Sequence, residues 1–153
     1  FTADHTLWDS IVPILKEHYQ LILLDNPGCG QSSVPNRDYT IKDFSSTVMT
    51  LCDHLDIEKA YFLGNSMGGA IVQQIAYSYP GRVKKAVISN SFMNANELAF
   101  SLFAKARESW FDLGLSQEVV THAMLSWCFS GVFLSESKLS INCLSSISHL
   151  ASQ

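Results

Sequence analysis

A chain of 153 residues with 47% apolar and 16% charged residues can bury a real core in one domain, which excludes a disordered chain. Its formal net charge of −4 gives no reason to expect a nucleic acid or an anionic membrane surface as partner. No apolar run nears the ~20 residues of a membrane span, and no signal peptide is visible. The chain opens at Phe1 rather than Met, which reads as an internal start.

The first 19 residues carry Leu7, Trp8, Ile11, Val12 and Leu15 at helical spacing. Pro13 is tolerated best in a first turn, so the regular helix is expected to begin near Asp9 or Ser10. Residues 20–24 form a nearly continuous apolar run, expected to be a parallel strand buried on both faces. A turn-rich loop, Asp25-Asn26-Pro27-Gly28-Cys29-Gly30-Gln31-Ser32, follows it. Thr40 with Asp43 three residues on is a capping box with Asp in place of Glu. It opens a helix whose apolar stripe is Ile41, Phe44, Val48, Leu51, Cys52 and Leu55. Residues 60–63 read as a buried strand, 70–76 as a helix closed by Pro80-Gly81, and 83–89 as the next strand. This alternation implies a parallel sheet with right-handed crossovers.

After Asn90 the alternation stops. Leu98, Leu102, Phe103 and Ala106 indicate one helix, and Val119, Val120, Ala123, Met124, Trp127 and Cys128 a second, with no strand between them. Leu139, Ile141, Leu144 and Ile147 carry a weaker helical pattern in a serine-rich stretch. Consecutive helices of this kind fit an inserted helical cap.

The chemistry concentrates at Gly64-Asn65-Ser66-Met67-Gly68, a G-x-S-x-G motif between a strand and a helix. A sharp strand-to-helix turn strains the serine backbone and exposes its hydroxyl. The flanking glycines are expected because side chains there would clash with the neighbouring helix and strand. The motif alone would turn up by chance in roughly one chain in twenty of this length, so its weight comes from the context. Asp25 reads as a support for its own loop through backbone hydrogen bonds. His5, His18 and His54 read as structural or solvated. The cysteines, Cys29, Cys52, Cys128 and Cys143, show no C-x-x-C pair and no zinc spacing. They read as free thiols in a reducing compartment, so a cytoplasmic location is expected. Cys29 reads as an inert buried thiol. Gly28-Cys29-Gly30 lacks the Lys of a phosphate-binding loop and the spacing of a dinucleotide fingerprint.

Residues 25–32, in the pattern D-x-P-G-x-G-x-S, and the elbow Gly64-Asn65-Ser66-Met67-Gly68-Gly69 resemble the α/β-hydrolase superfamily in order and separation. The stretch 8–79 is similar to the matching part of small, cap-bearing esterases and carbon–carbon bond hydrolases. The resemblance implies an α/β fold: a partial α/β-hydrolase core, a parallel sheet flanked by helices, over residues 1–92, and a helical cap-like region over 93–153. It implies Ser66 as nucleophile, with a histidine to take its proton and a carboxylate to orient that histidine. It implies the Met67 N–H as one oxyanion donor. Phe1 aligns with the apolar residue that follows His-Gly in relatives, so it is the candidate second donor or an ordinary apolar residue at a chain end. Serine rather than aspartate at the elbow favours acyl transfer over epoxide or haloalkane chemistry.

The family order places the acid and then the histidine after later strands. His122 falls in a helical pattern, and His149 near the C-terminus follows no predicted strand. Glu97, Glu108, Asp112, Glu118 and Glu136 follow no strand either, and Asp112 reads as a turn or cap residue. The acid and histidine are therefore expected outside this sequence. Phe100, Phe103, Trp110, Phe111, Trp127 and Phe129 fit either an apolar substrate wall or helix packing.

The expected activity is serine hydrolysis of a small-molecule ester or related acyl substrate, with no metal and no organic cofactor. Two alternatives stand beside it: a catalytically incomplete pseudoenzyme or binding module, and an inactive fragment of such a hydrolase. The sequence leaves substrate identity and oligomeric state open.

Overall fold

A computed structural model describes residues 4–93, 102, 105, 106, 109, 110, 112–116, 119 and 120. Contacts divide the chain into two units, one of Phe1 with His5–Ala95 and one of Thr2–Asp4 with Asn96–Gln153.

In the first unit, a 3-10 turn over His5–Trp8 leads into α1, Val12–Leu15, with Pro13 in its first turn. The helix starts later than Asp9 or Ser10 and is a single turn. Residues 20–24 pair with no strand among the described residues, against the expectation. A strand exists only as part of a ladder, and an apolar run names no partner for itself. Leu24 does pack against the core, while Ile22 and Leu23 are exposed.

Helix α2, Ile41–His54, begins as its sequence requires. The Thr40 N–H donates to Asp43 Oδ2 at 2.9 Å, and the Asp43 N–H donates to Thr40 Oγ1 at 3.2 Å, which completes the capping box. Hydrogen bonds from the Thr40 hydroxyl and N–H, with Arg37 beside them, hold the Asp43 carboxyl down at about 2. The helix ends in a Schellman turn. The Ile57 N–H reaches the Cys52 carbonyl at 2.8 Å, and the Asp56 N–H reaches that of Asp53 at 3.1 Å. Asp56 takes the left-handed position (φ 54°), and Ile57 packs back on the core. Of the expected stripe, Val48 and Cys52 are buried and Ile41 and Phe44 are partly buried against the core; Ser45 and Met49 are buried besides, whereas Leu55 is exposed. The Ser45 hydroxyl donates to the Lys42 carbonyl at 2.8 Å, so its burial leaves no orphan donor.

Strand β1, Ala60–Asn65, pairs in parallel with β2, Val83–Ser89. Helix α3, Met67–Ser78, crosses between them and packs on both, with α2 packed on α3. The core lies in this helix layer: Val48, Met49 and Cys52 from α2 meet Ile71 and Ile75 from α3, with Phe62 of β1 against them. Strand β1 is not the buried strand its sequence leads one to expect. Phe62 faces the helices, while Tyr61 and Leu63 alternate to the other side and are exposed, as is Val87 opposite Leu63. Arg82 ties the layers at one end, donating to the carbonyls of Glu58 at 2.7 Å and Ile57 at 2.9 Å and to Asp53 Oδ1 at 2.6 Å.

In the second unit, Leu102, Lys105, Ala106, Ser109, Trp110 and Asp112 are helical. The Leu115 N–H bonds back to the Trp110 carbonyl at 3.1 Å around Gly114 (φ 68°), so Asp112 sits in the last turn of a helix that Gly114 ends. Val119 and Val120 are helical again. The remaining expected cap positions lie outside the described residues. No helix among the described residues is long and apolar enough to cross a membrane.

Candidate active site

The elbow is where the expectation and the structure meet. β1 ends at Asn65, α3 starts at Met67, and Ser66 alone makes the turn. Its backbone sits at φ 53°, ψ −118°, a region that non-glycine residues enter at a cost of about 1–3 kcal/mol. The surroundings hold it there. The Ser66 N–H donates to the Ser89 carbonyl at the end of β2 at 2.9 Å. The Ser66 carbonyl accepts from the N–H groups of Gly69 at 3.0 Å and Ala70 at 3.3 Å, and from Ser91 Oγ at 2.8 Å. Ser66 is an exposed residue at the positive end of α3. Asn65 on one side accepts from the Asn90 amide at 3.3 Å, and Asn90 follows β2 in a left-handed conformation (φ 46°).

The glycines divide differently from the expectation. A Cβ on Gly64 would overlap the backbone of Gly68 and stand 2.7 Å from the Gly69 nitrogen, so the first motif glycine is required by backbone contact. Around Gly68 a Cβ would meet nothing within 4 Å. The second close approach falls one residue later. A Cβ on Gly69 would stand 2.5 Å from Ser91 Cβ and 3.1 Å from Ile88 Cγ2. The motif's last glycine therefore answers to no clash among the described residues, and the glycine just past it does.

Asp25 supports its loop as expected, and more besides. Its carboxylate, 8% exposed, accepts from the Gln31 N–H at 3.0 Å, the His5 N–H at 2.7 Å and His5 Nδ1 at 3.0 Å. Ser32 Oγ donates to the Asp25 carbonyl at 2.7 Å. Burial pushes the carboxyl up, but the bonds from Gln31 and His5, with the charge of His5, outweigh it and leave the group below its ordinary value. Gly28 (φ 81°) and Gly30 (φ 51°) carry the left-handed turns, and a Cβ on Gly30 would overlap the Asp25 carboxylate. His5 is thus a structural partner of Asp25, a pairing that spacing alone did not give.

Cys29 and Cys52 are free thiols. Burial pushes the Cys52 thiol up, and Cys29 is half-buried rather than buried. Phe1, His122, His149, Glu97, Glu108, Glu118 and Glu136 lie outside the described residues, as do Cys128, Cys143, Phe100, Phe103, Phe111, Trp127 and Phe129. A depression of about 450 Å³ beside α3 is lined by Ile41, Ala70, Gln73, Gln74, Tyr77, Phe92 and Met93, and does not include Ser66. The residue that sequence reasoning missed is Ser91, two positions past β2. The one signal for it is the double glycine at 68–69, which marks a close backbone approach.

This strand–serine–helix turn and its parallel sheet define an α/β-hydrolase fold, and the chain belongs to that family. The family model for the alpha/beta hydrolase fold matches residues 1–127, past residue 92, where the motif resemblance stops. The 3-oxoadipate enol-lactonase 2 of Acinetobacter baylyi is 33% identical over 92 residues, 60% of this chain and 34% of that protein. The poly(3-hydroxyalkanoate) depolymerase of Ectopseudomonas oleovorans is 35% identical over 78 residues, 51% of this chain and 28% of that protein. Among solved structures, the enol-lactonase of Burkholderia xenovorans LB400 superposes with a TM-score of 0.72 at 24% identity, over 95% of this chain and 55% of that one, a likeness of fold. The chain spans about a third of the length of these curated relatives.

Proposed function

We propose that this chain carries the nucleophile of a serine hydrolase that cleaves the ester bond of a small molecule, open-chain or lactone. The observation that carries the reading is the backbone of Ser66, an exposed residue held at positive φ on a strand-to-helix turn. A residue strained in this way, with its backbone groups bonded on both sides, marks a position where geometry is kept for a purpose. The relatives named as a lactonase and a depolymerase support the ester as the bond class.

In this reading a histidine base takes the Ser66 proton and Oγ attacks the substrate carbonyl carbon. The Met67 N–H, one of the first four helix donors and so without an intrahelical partner, receives the oxyanion. Phe1 is the proposed second donor. Collapse breaks the bond to the leaving oxygen, which takes the proton from the histidine, and water then releases the acid by the same steps. The histidine and its orienting carboxylate would come from outside the described residues. Residues 93–153 belong in this proposal to the start of a helical cap region, and the free Cys29 and Cys52 go with a cytoplasmic setting.

Turnover of p-nitrophenyl butyrate and of a small lactone by the whole protein tests the reading. Ser66→Ala is expected to lower kcat by at least about a thousandfold. A variant within tenfold of the parent would overturn it, and substrate binding without turnover in the parent would favour the binding-module alternative.

A further inference from the structure

The exit of β2 does more than end a strand. Within three residues it bonds both backbone groups of Ser66: the Ser89 carbonyl accepts the Ser66 N–H, and Ser91 Oγ donates to the Ser66 carbonyl. At 2.8 Å the Ser91 bond is the shortest of the three that this carbonyl receives. Ser91 is itself held. Gln73 Nε2 donates to the Phe92 carbonyl at 3.1 Å and reaches Ser91 Oγ at 3.4 Å, the long end of a hydrogen bond. Gly69 makes the approach possible, since a Cβ there would stand 2.6 Å from Ser91 Oγ.

The Ser66 carbonyl belongs to the peptide that joins Ser66 to Met67, and the N–H of that same peptide is the Met67 N–H. The unit is planar and trans, so the N–H points opposite to the C=O. A donor that fixes the direction of the carbonyl therefore fixes the direction of the N–H. It also polarises the amide, and an amide whose oxygen accepts a hydrogen bond donates a stronger one. We infer that Ser91 is a positioning residue for the oxyanion hole. It acts through the Ser66–Met67 peptide, with Gln73 holding its hydroxyl and Gly69 giving it room. The inference rests on the reading of Ser66 as nucleophile and Met67 N–H as oxyanion donor, and adds to it a residue that never touches substrate.

The test uses the whole protein and p-nitrophenyl butyrate, with kcat, KM, melting temperature and the Ki of a trifluoromethyl ketone measured for each variant. Ser91→Ala is expected to lower kcat about tenfold, the size of one lost hydrogen bond, with KM within twofold. That is less than the hundredfold or more of deleting an oxyanion donor outright. The ketone adds Ser66 Oγ to form an oxyanion, so its Ki should rise by the factor that kcat/KM falls. Ser91→Thr, which keeps the hydroxyl, should restore kcat to within about threefold, and Gln73→Leu should cost about two- to threefold. An unchanged kcat in Ser91→Ala overturns the inference. So does a loss that Thr fails to restore at an unchanged melting temperature, or a loss of kcat with no change in the ketone Ki. If Ser91→Thr folds poorly, the ketone Ki of Gln73→Leu decides by the same criterion. The two failures are distinct: turnover that survives Ser66→Ala removes the nucleophile reading, whereas turnover that needs Ser66 and ignores Ser91→Ala removes this inference alone.

Discussion

Two turns of this chain solve the same backbone problem in opposite ways. The loop 25–32 needs left-handed residues and places glycines there, Gly28 and Gly30, so its backbone is nearly unstrained. It is then held by a single buried carboxylate with several donors around it. The elbow puts a serine where glycine would be easier and holds it with uncharged bonds from the end of β2 and by backbone contact at Gly64. The first turn is kept by charge and is open to pH; the second is kept by packing and should be indifferent to it. Of these two turns, the strained one is the one that keeps a side chain at its apex.

The largest effect should come from Gly64→Ala. Its Cβ would meet backbone, which no rotamer change can relieve, so a loss of about 3 kcal/mol or more is expected in denaturant melts. A variant that folds with near-parental stability would show that the elbow is not fixed by packing.

Asp25→Asn comes next, with an expected loss of about 1–3 kcal/mol at pH 7, because a charged acceptor of several hydrogen bonds is replaced by a neutral one. The pH dependence has a definite sign. The Asp25 carboxyl lies below its ordinary 3.8 in the folded protein, so its contribution is complete above that value and is lost as pH falls through the folded one. Melting temperatures from pH 6 down to 2 should therefore bring parent and variant together. Asp43 loses its contribution over the same range, down to about 2, but does so in both proteins and cancels from the difference. A gap that stays constant to pH 2 would mean the loop is held by shape rather than charge.

Gly28→Ala should cost about 1–2 kcal/mol from conformation alone, since the nearest atom to its Cβ would be Pro35 Cδ at a comfortable 3.8 Å. Gly68→Ala gives the smallest effect and the opposite sign. It sits in the first turn of α3 with open space around it, so thermal melts should show no loss or a gain of up to about 1 kcal/mol. A stable but inactive Gly68→Ala would assign that glycine to substrate room, and a clear loss of stability would contradict the division between Gly64, Gly68 and Gly69.

What could be read from the sequence was local. Thr40 and Asp43 are three residues apart, and their capping box needs no other part of the chain, so it was legible. The same holds for the elbow, where strand, turn and helix lie within twenty consecutive residues. Residues 20–24 pair with no strand among the described residues because a ladder depends on a neighbour that an apolar run does not name. The role given to Gly68 fell to Gly69 because the clash comes from Ser91, more than twenty residues away, and spacing within the motif carries no trace of it. His5 and Asp25 met for the same non-local reason. Strand exposure also escaped prediction: Tyr61 and Leu63 alternate with Phe62, and only the packed structure tells which side the helices take.

The central claim is that Ser66 is an activated nucleophile. Treating the whole protein with a fluorophosphonate and reading the modified peptide by mass spectrometry tests it most directly. The account expects one label, on Ser66, that is abolished in Ser66→Ala and kept in Asp25→Asn at pH 7. A label on another residue, or a folded parent protein that takes none, would contradict it.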